Sequence, residues 1–254
     1  MSVTAVTGSA SGIGAALRER LEQKGDRVVG VDIRDAEVEA DLATVDGRQQ
    51  AVAGVREATG GSLDRLVLCA GLGPQVPDPR QIASVNYFGA VEVMDGLLDS
   101  LSARPGAATV AVCSNSAQFG PFEEHPFVLA LLEHDEAKAR EIASAENAYI
   151  AYGGSKHALC RAVRRRASRW GEAGVRLNGI CPGPTETPLL RGSIDHPIWG
   201  KGVAGLDIPL RRHAKAAEVA AVIDFLLGSD ASYVHGSILY ADGGNDAAMR
   251  PDRF

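Results

Sequence analysis

The sequence predicts an α/β fold: one doubly wound parallel sheet of about seven strands with helices on both faces. Three observations carry that expectation. Short apolar runs rich in β-branched residues alternate with helix-like segments along the whole chain. A glycine-rich turn follows the first of these runs at once. No Pro/Gly/Ser linker, internal repeat or low-complexity tract divides the 254 residues, so a single domain spanning 1–254 is expected.

Residues 2–7 (SVTAVT) read as a buried parallel strand. Gly8, Gly12 and Gly14, spaced G-x-x-x-G-x-G, then open a helix that passes through Leu17 and Leu21 and stops at Gly25. Such a turn lets backbone approach a pyrophosphate, and the helix N-terminus adds N–H groups and a positive dipole end. Residues 27–33 form a second strand with Asp32 near its C-terminal end, 18 residues after Gly14. A carboxylate there accepts from ribose hydroxyls and repels a 2′-phosphate. Ile33 follows it and no Lys or Arg lies in the glycine loop, which favours NAD over NADP; Arg34 opposes that preference.

A short third strand is expected at 38–42, with Asp41 at its end, followed by a helix at 44–59. The fourth strand, 63–69, runs into Ala70-Gly71, where small residues let backbone lie close to a ligand. Residues 79–103 read as one long helix carrying Asn86. Ser114 sits just past the fifth strand, 109–113, and the sixth, 175–181, leads into a loop from Pro182 to Pro188. A helix at 216–227 and a strand at 237–240 complete the alternation.

Tyr152 and Lys156 are four residues apart, so on a helix both rise from one face. An ammonium beside a phenol favours the phenolate and makes the tyrosine a candidate for proton transfer. The pair alone is weak, because tyrosines often sit four residues before a lysine on solvated helices.

Its company is more specific. The glycine loop, Asp32, Ala70-Gly71, Asn86, Ser114, Tyr152/Lys156 and Pro182-Gly183, in that order, resemble the short-chain dehydrogenase/reductase family and its Rossmann-type fold over nearly the whole chain. The resemblance implies Tyr152 as acid/base and Lys156 as the residue that tunes it and holds the nicotinamide ribose. It implies Ser114 as the group that orients the substrate oxygen, and Asn86 as a holder of a relay water. For NAD it implies a surface of Gly8, Ser11, Gly12, Ile13, Gly14, Asp32, Ile33, Asp41, Leu42, Cys69, Ala70, Gly71, Tyr152, Lys156, Pro182, Gly183, Thr185 and Thr187. Ser116 and Tyr149 compete with Ser114 and Tyr152; strand-end position and lysine spacing decide against them.

Two departures stand out. Cys69 replaces the asparagine of the family's Asn-Ala-Gly. Ser114 and Tyr152 are 38 residues apart, well beyond the usual separation, and the additional segment, about 119–147, has a helical composition. With that insertion, the runs 68–74 (LCAGLGP), 85–89 (VNYFG), 186–190 (ETPLL) and 233–236 (YVHG), and the C-terminus from Asp242, the chain resembles a narrower bacterial subgroup that acts on hydroxysteroids and other bulky apolar carbonyl compounds. Secondary alcohol dehydrogenation of aryl, terpene or alicyclic alcohols is a second reading. A non-catalytic NAD-binding sensor is a third, opposed by the complete Ser/Tyr/Lys/Asn set.

The loop 188–212 is apolar and glycine-containing, and is expected to be a mobile lid with Leu189 and Trp199 on the substrate. The apolar run 127–132 has to be buried. Packed over neighbouring helices, it would obstruct the helix pairing common in the family. A homodimer through 216–240 is therefore expected rather than a tetramer.

Composition sets the remaining bounds. Hydrophobic residues make up 45% and charged residues 23%, as in a globular protein with a full core. A net charge of -6 gives no electrostatic reason to bind nucleic acid. No apolar run approaches the roughly 20 residues of a membrane span. An apolar strand at the N-terminus leaves no room for a signal peptide. Of four cysteines (Cys69, Cys113, Cys160, Cys181) without a C-x-x-C pair, Cys69, Cys113 and Cys181 end apolar runs and read as small core residues; that suits a reducing compartment, so a cytoplasmic protein is expected. Six histidines lack ligand spacing, and no metal is expected.

Overall fold

In the computed structural model, which describes residues 1–198 and 200–253, the first glycine turn sits where the sheet changes direction. Strands β1 (Val3–Thr7), β2 (Arg27–Asp32), β3 (Val38–Glu39), β4 (Arg65–Leu68), β5 (Ala108–Val112) and β6 (Arg176–Pro182) are all parallel. β7 (Thr185–Glu186) and β8 (Ala214–Lys215) pair separately, and β9 (Ile238–Ala241) joins the main sheet beside β6. The resulting order, β3-β2-β1-β4-β5-β6-β9, reverses between β1 and β4 and opens a crevice at the strands' C-terminal ends.

Alternate strand residues face opposite layers. Val6, Val67 and Val110 pack with Leu17 and Leu21 of α1 (Gly12–Gln23) on one face, where Val219 and Ile223 join them. Ala5, Leu66 and Ala111 face the other layer, which holds Ala51 and Val55 of α2 (Val45–Thr59) together with Phe88 and Val163.

The expected helix over 79–103 is broken. It comprises α3 (Pro79–Ala83), a π-helical turn (Ser84–Gly89), α4 (Ala90–Gly96) and α5 (Leu98–Ser102). Two close approaches accompany the interruptions. A Cβ on Gly89 would lie 3.0 Å from Leu42 Cβ, and one on Gly96 would lie 2.7 Å from Val52 Cγ2. The third strand is also shorter than expected. Asp41 lies beyond it in a turn, its Oδ1 accepting from Ala43 N at 2.9 Å.

The extra segment forms α6 (Pro126–Leu132) and α7 (Glu136–Ala145), as its composition suggests. Phe127, Val128, Ala130 and Leu131 are fully buried. α6 packs on α8 (Ala148–Glu172), where a Cβ on Gly154 would lie 2.9 Å from Phe127, and α7 packs on α3. Arg48, itself buried, fixes α7 by donating to both oxygens of Glu136. Among the described residues, no helix is long and apolar enough to cross a membrane.

Candidate active site

A cavity of about 620 Å³ occupies the crevice, with the glycine loop at one end and α8 at the other. At the first end Gly8 has φ +70, and a Cβ there would lie 2.7 Å from Ala70 Cα, so both conformation and space call for glycine. Gly8, Ser11, Gly12 and Ile13 line the cavity. Gly14 does not; it packs beneath the loop, where a Cβ would fall 2.1 Å from Gly8 O. The first turn of α1 carries no acidic side chain, which leaves its positive end open to an anion.

Asp32 accepts from Ala10 N at 3.0 Å and Ile33 N at 2.8 Å, which fixes its carboxylate against the glycine loop. It lines the cavity together with Ile33, Asp41 and Leu42. Arg34 is 80% exposed and points out toward Asp35. The turn after β4 keeps its shape without the family's asparagine, because Thr7 Oγ1 accepts from both Cys69 N and Ala70 N at 3.1 Å. Cys69, Ala70 and Gly71 lie on the wall, and burial pushes the Cys69 thiol up to about 12.

At the other end Lys156 is 4% exposed and donates to Val112 O at 2.8 Å. It is wedged beside the turn after β4, since a Cβ on Gly71 would lie 3.4 Å from its Nζ. Ser114 and Tyr152 line the cavity with it. Ser114 Oγ accepts from Ser116 N at 3.2 Å and Ser116 Oγ at 2.9 Å. Asn86 lies behind the wall, fully buried. Its Oδ1 accepts from Leu72 N at 2.7 Å, and its Nδ2 donates to Leu72 O at 3.0 Å and Ser155 Oγ at 3.3 Å. The Asn86 side chain is thus bonded to protein at both ends.

Pro182 at the end of β6 and Gly183, Thr185 and Thr187 beyond it form a further wall. Thr187 Oγ1 caps α9 (Pro188–Ile194) by accepting from Leu190 N at 3.2 Å. Leu189, Leu190, Val203 and Leu206 then present an apolar surface to the cavity, Val203 from α10 (Gly200–Ala204). The apolar character expected of the whole 188–212 loop holds for this inner row only: Ile198 and Leu210 are exposed, and Ile208 packs inward off the cavity. Trp199, expected on the substrate, lies outside the described residues. The chain then passes through α11 (Ala216–Leu227) and β9 to α12 (Asn245–Met249), whose first residue clasps the site. Asn115 Nδ2 donates to Asn245 Oδ1 at 2.9 Å, and Asn245 Nδ2 donates to Asp207 O at 2.6 Å.

Several wall residues escaped the sequence reading, among them Asn115, Phe119 and the two set aside, Ser116 and Tyr149. Tyr149 lies one helical turn before Tyr152, a spacing that could have flagged it. Burial raises its phenol above the ordinary value. Three of the cysteines are buried and free, as expected of core residues, and the structure adds that they converge. Cys113, Cys160 and Cys181, far apart in sequence, place their sulfurs within 4.8 Å of one another. Hydrogen bonds from Cys160 and Cys181 hold the Cys113 thiol well below its usual value despite burial, and the Lys156 charge assists.

The order of strands, the crevice at their reversal and the helix that carries a tyrosine one turn before a buried lysine all belong to one class. The chain is a member of the short-chain dehydrogenase family, whose description it matches over residues 2–127, with residues 138–246 matching the enoyl-(acyl carrier protein) reductase description. It is 49% identical over 257 residues, 100% of both chains, to the 3-alpha-hydroxysteroid dehydrogenase/carbonyl reductase of Comamonas testosteroni. It is 31% identical over 249 residues, 94% of each, to the coniferyl-alcohol dehydrogenase of Pseudomonas sp. strain HR199. The 3-alpha-hydroxysteroid dehydrogenase of Pseudomonas sp. B-0831, solved with NADH, superposes with a TM-score of 0.98 over 100% of both chains at 46% identity.

Proposed function

We propose that the chain is an NAD(H)-dependent oxidoreductase that interconverts a secondary alcohol and a ketone on a bulky apolar substrate, as a 3α-hydroxysteroid dehydrogenase/carbonyl reductase does. One observation carries this reading: Ser114, Tyr152 and Lys156 share a single cavity with the glycine loop and an apolar wall.

The glycine loop, Asp32 and Lys156 suit NAD, since the loop's close packing leaves room only for glycine and a carboxylate stands at the end of β2. NAD, when bound, supplies the two-electron acceptor of the reaction. The protein's own groups hold the substrate and move the proton. Both acceptor positions of Ser114 Oγ are filled by Ser116, so its own hydrogen is free to reach a substrate oxygen. Tyr152 takes the alcohol proton during oxidation and returns it during reduction. Lys156, anchored on Val112 O, sets a positive charge one turn from that phenol. Asn86 acts through Leu72, holding the turn after β4 against Lys156. Leu189, Leu190, Val203 and Leu206 offer an apolar substrate a dry surface.

The proposal treats 1–254 as one catalytic domain, with 119–147 inserted before the tyrosine and 188–212 as the lid. It includes a homodimer in the cytoplasm, without a nucleic-acid partner. Phe225, Tyr233 and Leu239 are exposed on and around α11 and β9, whereas α6 and α7 cover α8 and α3. Buried free thiols suit a reducing compartment.

A panel of hydroxysteroids, aryl, terpene and alicyclic alcohols and their ketones, followed by NADH absorbance, tests the reading. Steroid alcohols should be turned over best, and Tyr152→Phe should lose on the order of 100-fold in kcat with NADH still bound. Preference for a small polar alcohol, or near-normal turnover by the variant, would count against it. Two aromatic rings on the wall, Phe119 and Tyr149, favour aryl alcohols as the second reading.

A further inference from the structure

Three thiols from three elements converge beneath the catalytic serine. Cys113 lies between the last residue of β5 and Ser114, Cys160 stands one turn beyond Lys156 on α8, and Cys181 lies on β6. They are 3%, 5% and 0% exposed and form no disulfide. Their sulfurs lie within 4.8 Å of one another, with Cys160 and Cys181 3.7 Å apart. Cys113 also lines the cavity, which supplies a route from solvent. Nothing in the proposed reaction uses any of them.

An ion bonded to thiolates at about 2.3 Å holds its sulfurs about 3.8 Å apart in a tetrahedral site. The Cys160–Cys181 separation already matches that geometry, and the widest spacing allowed here requires an adjustment of about 1 Å. We propose that Cys113, Cys160 and Cys181 form a binding site for a soft, thiophilic metal cation, and that filling it inhibits the enzyme. Sulfur ligands select copper(I), zinc and ions of similar softness over the hard cations that prefer oxygen.

On binding, each thiol gives up its proton to solvent and forms one metal–sulfur bond. A divalent ion with three thiolates leaves one net negative charge in a buried place. The Lys156 ammonium, bonded to Val112 O one residue before Cys113, is placed to offset it. That draws Lys156 away from Tyr152 and displaces the backbone that carries Ser114. The inhibition rests on the roles proposed above for those residues; the binding does not.

The probe is cadmium(II), titrated into the fully reduced full-length enzyme. A thiolate-to-cadmium charge-transfer band should rise and saturate at one equivalent, with the three cysteines protected from alkylation as mapped by mass spectrometry. Turnover should fall at least roughly tenfold and return on adding a chelator, and Cys160→Ala or Cys181→Ser should each weaken binding roughly tenfold or more. Protection mapping on the wild type stands independently of whether either variant folds. No band, or a band at unchanged affinity in both variants, overturns the site. A band with unaltered turnover overturns the inhibition.

Discussion

Ser116 donates to Ser114 twice, from its amide at 3.2 Å and from its hydroxyl at 2.9 Å. The oxygen proposed to orient the substrate is thereby an acceptor with both positions filled, and its hydrogen is directed elsewhere. Ser116→Ala removes one of the two bonds without opening the cavity. A single neutral hydrogen bond is worth roughly 1 kcal/mol, so kcat should fall about fivefold while KM for NAD stays constant. Steady-state kinetics with each substrate varied checks it. An unchanged kcat would mean that the amide alone holds Ser114.

Asp32 is the residue we propose to govern the choice of cofactor. Its carboxylate is held by Ala10 N and Ile33 N, and Arg34 turns away toward solvent. The wild type should favour NAD over NADP in kcat/KM. Asp32→Ala should lower that ratio for NAD by roughly tenfold or more, the worth of a charged hydrogen bond, and raise it for NADP. A wild-type preference for NADP would hand the role to Arg34.

Glu136 links the insertion to the main body at a pH-dependent contact. Burial pushes its carboxyl up, yet hydrogen bonds from Arg48 and Ser84 outweigh that and leave it below the ordinary glutamate value. A depressed native value means the contribution is complete above the unfolded value of about 4.3 and is lost as pH falls through the native one. Glu136→Gln should therefore cost on the order of 2 kcal/mol at neutral pH and much less in acid, as read from urea midpoints. A constant difference between the two proteins from pH 7 to acid would contradict the ion pair.

Sequence reading succeeded where the signal is local. Apolar runs cut by glycine placed β1 and β2, and strand-end position placed Ser114 at the crevice. It failed where the deciding partner is distant in the chain. The broken helix at Ser84–Gly89 coincides with Gly89 meeting Leu42 and Asn86 bonding Leu72, neither of which has a periodicity to read. Ser116 was set aside because the rule that chose Ser114 says nothing about what bonds it. The cysteine cluster needs β5, α8 and β6 together, so no spacing announces it.

The insertion also sets the expected assembly. Many members of the family pair the helix after the fourth strand and the tyrosine helix with their copies in a second subunit. Here Phe127 and Val128 of α6 occupy the surface of α8 at Gly154, and α7 covers α3. Phe225 of α11 at 47% exposure and Leu239 of β9 at 40%, on the outer strand of the sheet, are exposed apolar side chains away from the insertion. Light scattering should give the mass of a dimer at micromolar concentration. Leu239→Asp would bury a charge in that contact, so it should shift the protein toward monomer while leaving the fold intact by circular dichroism. A stable tetramer, or a dimer indifferent to Leu239→Asp, would place the interface elsewhere.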